Sequence, residues 1–533
     1  MEEITFHITN NPWINNGIAR MINSIKNDEN IDINLSKDSA TLSSKGNILN
    51  NIADEIIYLA YSGTYYFSPA FKIINKYGNS KYEPPDYPNS AKDAKVKWTI
   101  TEDDRKVLKK YKFDYKIKQQ VFKRRDSYLG NQNSKSDNYQ KNGINFKESK
   151  EFKKILKNKF GKNFCSSCGY FSKEMIPITQ MFNPLVNEHH NNKIEGIGNI
   201  REKIKICPNC FTMAMFSLFD KYIPFYTDSK RDTKLFLPNV NDLELLVKIN
   251  NNLSLKSQFI DFENAEIINY STNIKSLRNK YDSLALLTVL HNIQNIYSKD
   301  EINNLFEDLN NNELMEIVDW VVINKKSKKI SRIKANSNIY KILKVQKYEG
   351  KDIYLVLDFF NKFQFSNYNE SEVEKFYNSF LELDQNAIAN SLFKMAKSNP
   401  TINTQNNGNP FYLLNRIFLD LIMGEINMLN NEIKSACKSV SKSIGQIFSK
   451  DIGMMTKFAY ATDEEVFKQY IEEATFLMAK KSALVDENIY LNSKDLEILL
   501  DNLNKDNFKE IKNYFVSFMS SSALYNNYKK GDN

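Results

Sequence analysis

Four of the chain's five cysteines fall into two identical spacings, Cys165-Ser166-Ser167-Cys168 followed by Gly169, and Cys207-Pro208-Asn209-Cys210. A C-x-x-C turn is tight enough for both sulfurs to approach one ion, and two such turns supply the four thiolates of a tetrahedral site. Gly169 relieves the backbone just past the first pair. Four unrelated buried thiols would have to pair twice at the same spacing by accident. The pattern therefore predicts a structural metal at Cys165, Cys168, Cys207 and Cys210, zinc ahead of an iron–sulfur cluster. It also constrains the fold, because the 38 residues between the pairs must leave one turn and return to the other. That interval exceeds the usual ribbon spacing and predicts an inserted zinc-knuckle module.

Five cysteines in 533 residues are too few to staple a chain of this length, so a reducing, cytoplasmic setting is expected. The start, MEEITFHITNNPW, is acidic and polar and lacks the basic and apolar regions of a signal peptide. The longest apolar runs, such as 284–290, fall far short of the roughly 20 residues that span a bilayer, so no membrane partner is expected. With 41% hydrophobic and 13% aromatic residues, disordered, collagenous and disulfide-framework classes are excluded, and the length allows three or four domains. No Walker A loop, G-x-G-x-x-G or G-x-S-x-G occurs, which leaves nucleotide hydrolysis and acyl transfer without a motif.

The net charge of +9 is small for this size, and its distribution says more than its sum. Residues 101–162 carry 19 Lys and Arg against 8 Asp and Glu, a local +11 that leaves the other residues together at −2. Cations there alternate with aromatics: Lys109-Lys110-Tyr111-Lys112-Phe113, Tyr115-Lys116, Lys118, then Phe122-Lys123-Arg124-Arg125. Cations can meet phosphates while rings stack bases or anchor the segment on a core. A solvated charged face is the plain alternative. The local concentration beside the Asn/Ser/Gly-rich stretch 126–145, read as a mobile loop, favours nucleic acid.

Five regions follow from these shifts. Residues 1–100 read as mixed α/β, with a strand at ITFHIT, a loop at Asn11-Pro12 and Asn15-Asn16-Gly17, then helical spacing at Ile18, Met21, Ile22 and Ile25. A second amphipathic helix is expected at 50–61, and the proline-rich 82–89 reads as a rigid connector. The basic segment is 101–162 and the metal module 163–240. Residues 241–370 mix helices at 284–297 and 314–323 with a strand at 353–357. From 371 to 533, apolar residues recur at helical spacing in successive segments, predicting a bundle, with helix starts at Asn409-Pro410 and Asp463-Glu464-Glu465. The fold class expected is α+β.

Between the cysteine pairs lie Glu188-His189-His190 and Gly196-Ile197-Gly198-Asn199-Ile200. This order resembles a zinc-stapled HNH nuclease, in which one His is general base and others hold a catalytic divalent ion. The position after the second knuckle, often a ligating His in that family, is Phe211, and a nuclease lacking a ligand holds its ion poorly. Solvated or phosphate-contacting histidines are the plainer reading. Zinc deaminases need H-x-E upstream and Pro before the first cysteine, and neither is present.

The segment Thr9-Asn10-Asn11-Pro12-Trp13-Ile14-Asn15-Asn16-Gly17-Ile18-Ala19, with the two C-x-x-C pairs and the helical carboxyl third, resembles the large subunit of the type I-B CRISPR Cascade surveillance complex, the Cas-eight family. That family carries T-G-N-P-aromatic-x-D-x-G-I near its start and a paired C-x-x-C region in its middle. The chain has Asn10 for Gly and Asn15 for Asp. The resemblance implies a non-catalytic subunit at the 5′-handle end of a guide RNA. It would read a protospacer-adjacent motif in double-stranded DNA, hold the displaced single strand, and pack on the complex's backbone and small subunits. A helicase-nuclease would be recruited transiently. Asn11, Trp13, Asn15 and Asn16 are then candidates for a nucleic-acid loop, against a turn in which Asn tolerates left-handed geometry. The family's carboxyl portion can also be made from an internal start, for which Met395 is the candidate. The alternative function is the degenerate HNH-like nuclease acting on DNA.

Overall fold

The computed structural model describes residues 2–46, 160–177, 205–219, 225–227, 233–258, 281–296, 317–324, 330–336, 338–343, 346–348, 351–353, 365–366, 369–398, 401–402, 410–415, 419–426, 429–485 and 491–531, with positions 48, 52 and 185. The basic stretch from Lys109 to Arg125, the helix expected at 50–61 except Ile52, the connector at 82–89 and His189 and His190 lie outside the described residues. The chain is a mixture of helices and small antiparallel sheets, and it divides into two units. One comprises Met1–Asn273, Asn303–Leu314 and Val318–Arg332; the other comprises Ile274–Ile302, Met315–Ile317 and Ile333–Asn533. The division falls inside 241–370, which the sequence suggested was one region.

In the first unit, β1 (Glu2–His7), β2 (Ile31–Leu35) and β3 (Ser39–Ser44) form an antiparallel sheet with β3 in the centre, Leu42 facing Ile4 and Ile33. Strand β3 alternates half-buried and buried positions, as a sheet with one covered face does. Helix α1 (Pro12–Ile25) connects β1 to β2, and its start differs from the expected loop. Pro12 presets the first helical φ, and the Asn11 side chain caps the end by accepting from the backbone N–H of Trp13 and Ile14. The residues that looked like loop punctuation are cap and first turns.

Short strands β4 (Phe160–Phe164) and β5 (Phe171–Ser172) make a hairpin, and β6 (Ile176–Pro177) pairs with β7 (Lys205–Ile206). Helix α2 (Pro208–Phe219) follows β7, and α3 (Leu243–Gln258) follows β8 (Phe225–Thr227) and β9 (Thr233–Asn239), which with the later strands β10 (Ile317–Asn324) and β11 (Ile330–Asn336) make a second sheet ordered β11-β10-β9-β8. Strand β10 replaces the helix expected over 314–323. Its Val318, Trp320, Val321, Val322 and Ile323 are all buried, and a β-branched and aromatic run buried throughout favours a central strand despite apolar residues at helical spacing. Of the strand expected at 353–357, Ile353 is the described residue and ends a strand, in a hairpin of Gln346–Tyr348 and Lys351–Ile353; 354–357 lie outside the described residues.

Helix α1 is the hub of this unit and packs on both α2 and α3. At Gly17 a Cβ would lie 1.9 Å from the Met213 carbonyl oxygen, so glycine is required for α1 and α2 to approach this closely. Asn16 Nδ2 donates to the carbonyls of Pro12 and Pro238, and its Oδ1 accepts from Asn250 Nδ2, while Arg20 donates to the Asn250 carbonyl.

In the second unit, α4 (Asp282–Ile296) packs on α5 (Glu370–Glu382), which packs on α6 (Gln385–Ser398). Thereafter come α7 (Asn431–Ile447), α8 (Ile452–Tyr460), α9 (Glu464–Val485), α10 (Ser493–Asn502) and α11 (Phe508–Gly531). Helix α11 is central, with α6, α7 and α8 against it. A Cβ at Gly445 on α7 would lie 2.1 Å from the Met519 carbonyl, a second glycine-dependent approach. The expected start at residue 463 is present: Asp463 Oδ1 accepts the Val466 N–H. Met395 lies buried inside α6, so a chain begun there would lack most of that helix. Among the described residues no helix is long and apolar enough to cross a membrane.

Candidate metal centre

The hairpin β4–β5 carries the first cysteine pair in its turn. Cys165 N–H donates to the Tyr170 carbonyl and Gly169 N–H to the Cys165 carbonyl, at 2.9 and 3.0 Å. Gly169 has φ +75°, the left-handed geometry that closes the turn without a Cβ penalty. The second pair sits where β7 becomes α2, with Cys207 just before the helix and Cys210 in its first turn. The Ser166 hydroxyl and N–H both donate to the Lys205 carbonyl, at 2.9 and 3.2 Å, which ties the first turn to β7.

These contacts bring the four sulfurs within 4.8 Å of one another, and Cys168 Sγ lies 3.7 Å from Cys207 Sγ. A tetrahedral ion with metal–sulfur bonds of about 2.3 Å separates its sulfurs by about 3.8 Å. The donor set therefore fits one ion. Cys165, Cys207 and Cys210 are buried and Cys168 is half-buried. The Cys207 N–H points at Cys165 Sγ at 3.2 Å and the Cys210 N–H at Cys207 Sγ at 3.5 Å, so backbone donors already support negative sulfur.

As free thiols the four would share protons unequally. Cys165 is held far below the usual thiol range by hydrogen bonds from Cys168, Cys207 and Cys210. At Cys168 the bond with Cys165 pushes upward, but those with Cys207 and Cys210 outweigh it and the thiol is lowered. Cys207 and Cys210 are pushed up, first by their bonds with Cys165 and Cys168. A cation is what allows all four to be thiolates together. The fifth cysteine, Cys437 on α7, belongs to the second unit and is not one of the four; it is buried, and burial pushes its thiol up.

The candidate nucleic-acid residues of α1 are spent inside the protein, which corrects their reading as a contact loop. Trp13, Asn15 and Asn16 are each 2% exposed. The Trp13 indole N–H donates to the Ala214 carbonyl of α2 at 3.1 Å, and the Ser217 hydroxyl donates to the Trp13 carbonyl. Asn15 Oδ1 accepts from the Thr9 N–H and hydroxyl, and its Nδ2 donates to the Thr9 carbonyl at 2.7 Å. Aspartate has no counterpart of that Nδ2. Asn11, half-buried, is occupied as the cap.

Phe211, immediately after the second pair, is fully buried in α2. The aromatics flanking the first pair behave oppositely: Phe160 is 75% exposed, Phe164 61%, Tyr170 44% and Phe171 46%. Sequence reasoning did not single them out. Compared with known proteins, the chain matches no family model and no curated protein sequence.

Proposed function

We propose that this chain is the non-catalytic large subunit of a guide-RNA-directed DNA surveillance complex, as its resemblance to the Cas-eight family implies. In this reading it contacts the 5′ end of the guide RNA, recognises a protospacer-adjacent motif in duplex DNA and stabilises the opened target for a recruited helicase-nuclease. Guide pairing reads the long sequence, so the protein needs phosphate contacts and few base contacts. Residues 101–162 supply the phosphate contacts, and the helices after 370 form the bundle that packs on neighbouring subunits.

The observation that supports this reading is the junction of the two motifs carrying the resemblance. The helix opened by Thr9 to Gly17 is fastened, through Gly17 and Trp13, onto the helix whose first turn holds Cys210. Segments some 200 residues apart are thus one unit. Cys165, Cys168, Cys207 and Cys210 would hold zinc, whose role when bound is to charge-stabilise four thiolates and pin the hairpin to α2. The chain's own residues do the rest: Asn16, Asn250 and Arg20 fix α1 against α3, and α1 in turn fixes α2.

The test is binding of the full chain to duplex DNA across a salt series, with Mg²⁺ and Mn²⁺ present. Binding that weakens steeply with salt and leaves the DNA intact is expected. Cleavage abolished by His189→Ala would overturn the reading in favour of an HNH-type nuclease. Salt-dependent binding that survives deletion of residues 101–162 would show the contact surface to be elsewhere.

A further inference from the structure

Four of the eight large hydrophobic residues exposed among the described residues lie on the β4–β5 hairpin. Their rings form a continuous row: Phe164 to Phe171 at 5.6 Å, Phe171 to Phe160 at 6.4 Å, and Phe160 to Tyr170 at 6.2 Å between centroids. The interplanar angles are 66°, 49° and 85°, so no two rings are stacked face to face. The hairpin that carries the row is closed at both ends. One end is the knuckle turn, and the other is the close approach of Gly161 to the backbone of Lys173, where a Cβ would lie 2.3 Å from the Lys173 nitrogen. Clustered exposed apolar surface marks a binding surface.

What surrounds the rings selects the partner. Lys162, Lys173 and Lys205 are exposed, the backbones of the first two drawn near by the Gly161 approach and the third tied to the first knuckle through Ser166, and among the described residues of the hairpin Glu174 is also exposed. The exposed positions between the rings are polar, with no exposed aliphatic residue among them. Lysine is depleted at protein–protein interfaces, whereas aromatic faces flanked by cations are what single strands bind, bases on rings and phosphates on ammonium groups.

We infer that the β4–β5 hairpin is a platform for single-stranded nucleic acid, on which unpaired bases stack against Phe160, Phe164, Tyr170 and Phe171 while Lys162 and Lys173 meet the backbone. The inference rests on the proposed function for its class of partner and names the surface that meets the unpaired strand. It places the stacking surface on the metal-pinned hairpin itself, so the metal would set the stacking geometry as well as the fold.

The experiment uses the full metal-loaded chain and a fluorescent oligothymidylate, read by anisotropy across a salt series. Phe160→Ala, Phe164→Ala and Phe171→Ala are each expected to weaken binding about 5- to 100-fold, the range for losing one base–aromatic stack. The dependence on salt should be unchanged, because no charge is removed. Phe164→Trp should restore binding and Phe164→Leu should not. The substitutions are at exposed sites, so metal content and thermal unfolding should match the parent chain. Alanine variants that bind the oligonucleotide like the parent would overturn the inference and leave the proposed function standing. Phe164→Leu binding like the parent would assign the patch to generic apolar contact, a protein-docking surface, and also overturn it. A parent chain showing no salt-dependent binding to duplex or single strand would overturn both.

Discussion

Replacing Gly17 by alanine tests the helix junction on which the metal unit rests. The added Cβ would sit 1.9 Å from the Met213 carbonyl oxygen and 2.6 Å from its carbon, both backbone atoms that cannot swing aside as a side chain could. Restoring an ordinary contact of about 3.4 Å requires α1 and α2 to part by about 1.5 Å. That displacement breaks the 3.1 Å bond from the Trp13 indole to the Ala214 carbonyl. Overpacking costs about 1–3 kcal/mol, and the lost hydrogen bond about 0.5–1.5 kcal/mol more. The higher helix propensity of alanine returns about 1 kcal/mol, for a net loss of about 0.5–3.5 kcal/mol. Because a chain of two units need not unfold in one step, the suitable assay is amide hydrogen exchange of peptides covering residues 12–25 and 208–219. Exchange there should accelerate by about twofold to a few hundredfold, since about 1.4 kcal/mol is one decade. Unchanged protection, or the slight gain that propensity alone would give, would refute the close approach of the two helices.

Other substitutions follow from the same geometry. Asn15→Asp, which installs the residue usual in the resembled family, should destabilise the chain by about 1–3 kcal/mol by setting a carboxylate oxygen against the Thr9 carbonyl that Nδ2 now serves, measured by the same exchange assay. Metal analysis should find about one zinc per chain; Cys207→Ser should lower both metal content and unfolding temperature, while Cys437→Ser, which removes none of the four clustered thiols, should keep the metal. Glu372 is held below the usual carboxylate range first by the hydrogen bond from Lys375, so it contributes stability above its unfolded pKa that is lost as pH falls through its folded one. Glu372→Gln should cost no more than about 1 kcal/mol at neutral pH, the pair being at the surface, and nothing in acid; a loss that persists in acid would rule out the ion pair.

Much of this site was legible because its logic is local. Two C-x-x-C turns need only a few residues each, and Gly169, read as relieving the first turn, does so at positive φ. The strand at β1, the helix at α4 and the cap at Asp463 were legible for the same reason. The start of α1 was not. Asn11, Asn15 and Asn16 have low intrinsic helix propensity, and the partners that bury them are Thr9, Pro238 and Asn250, two of them over 200 residues away. Strand β10 was misread as a helix because Leu314, Ile317, Val318 and Val321 also fall at helical spacing; pairing with β9, from Asp319 opposite Asn239 to Asn324 opposite Lys234, decides it. The exposed ring row was invisible for the converse reason. Phe160, Phe164, Tyr170 and Phe171 look like core residues until the fold leaves them uncovered.

The proposed function is tested most directly by what the protein carries. Purified from its native cells under mild salt and then extracted, the chain should bring with it short RNAs sharing one constant 5′ end and differing in the sequence that follows, together with the other subunits of a surveillance complex. A chain recovered alone, or with RNA of random ends, would contradict the reading as a guide-RNA complex subunit.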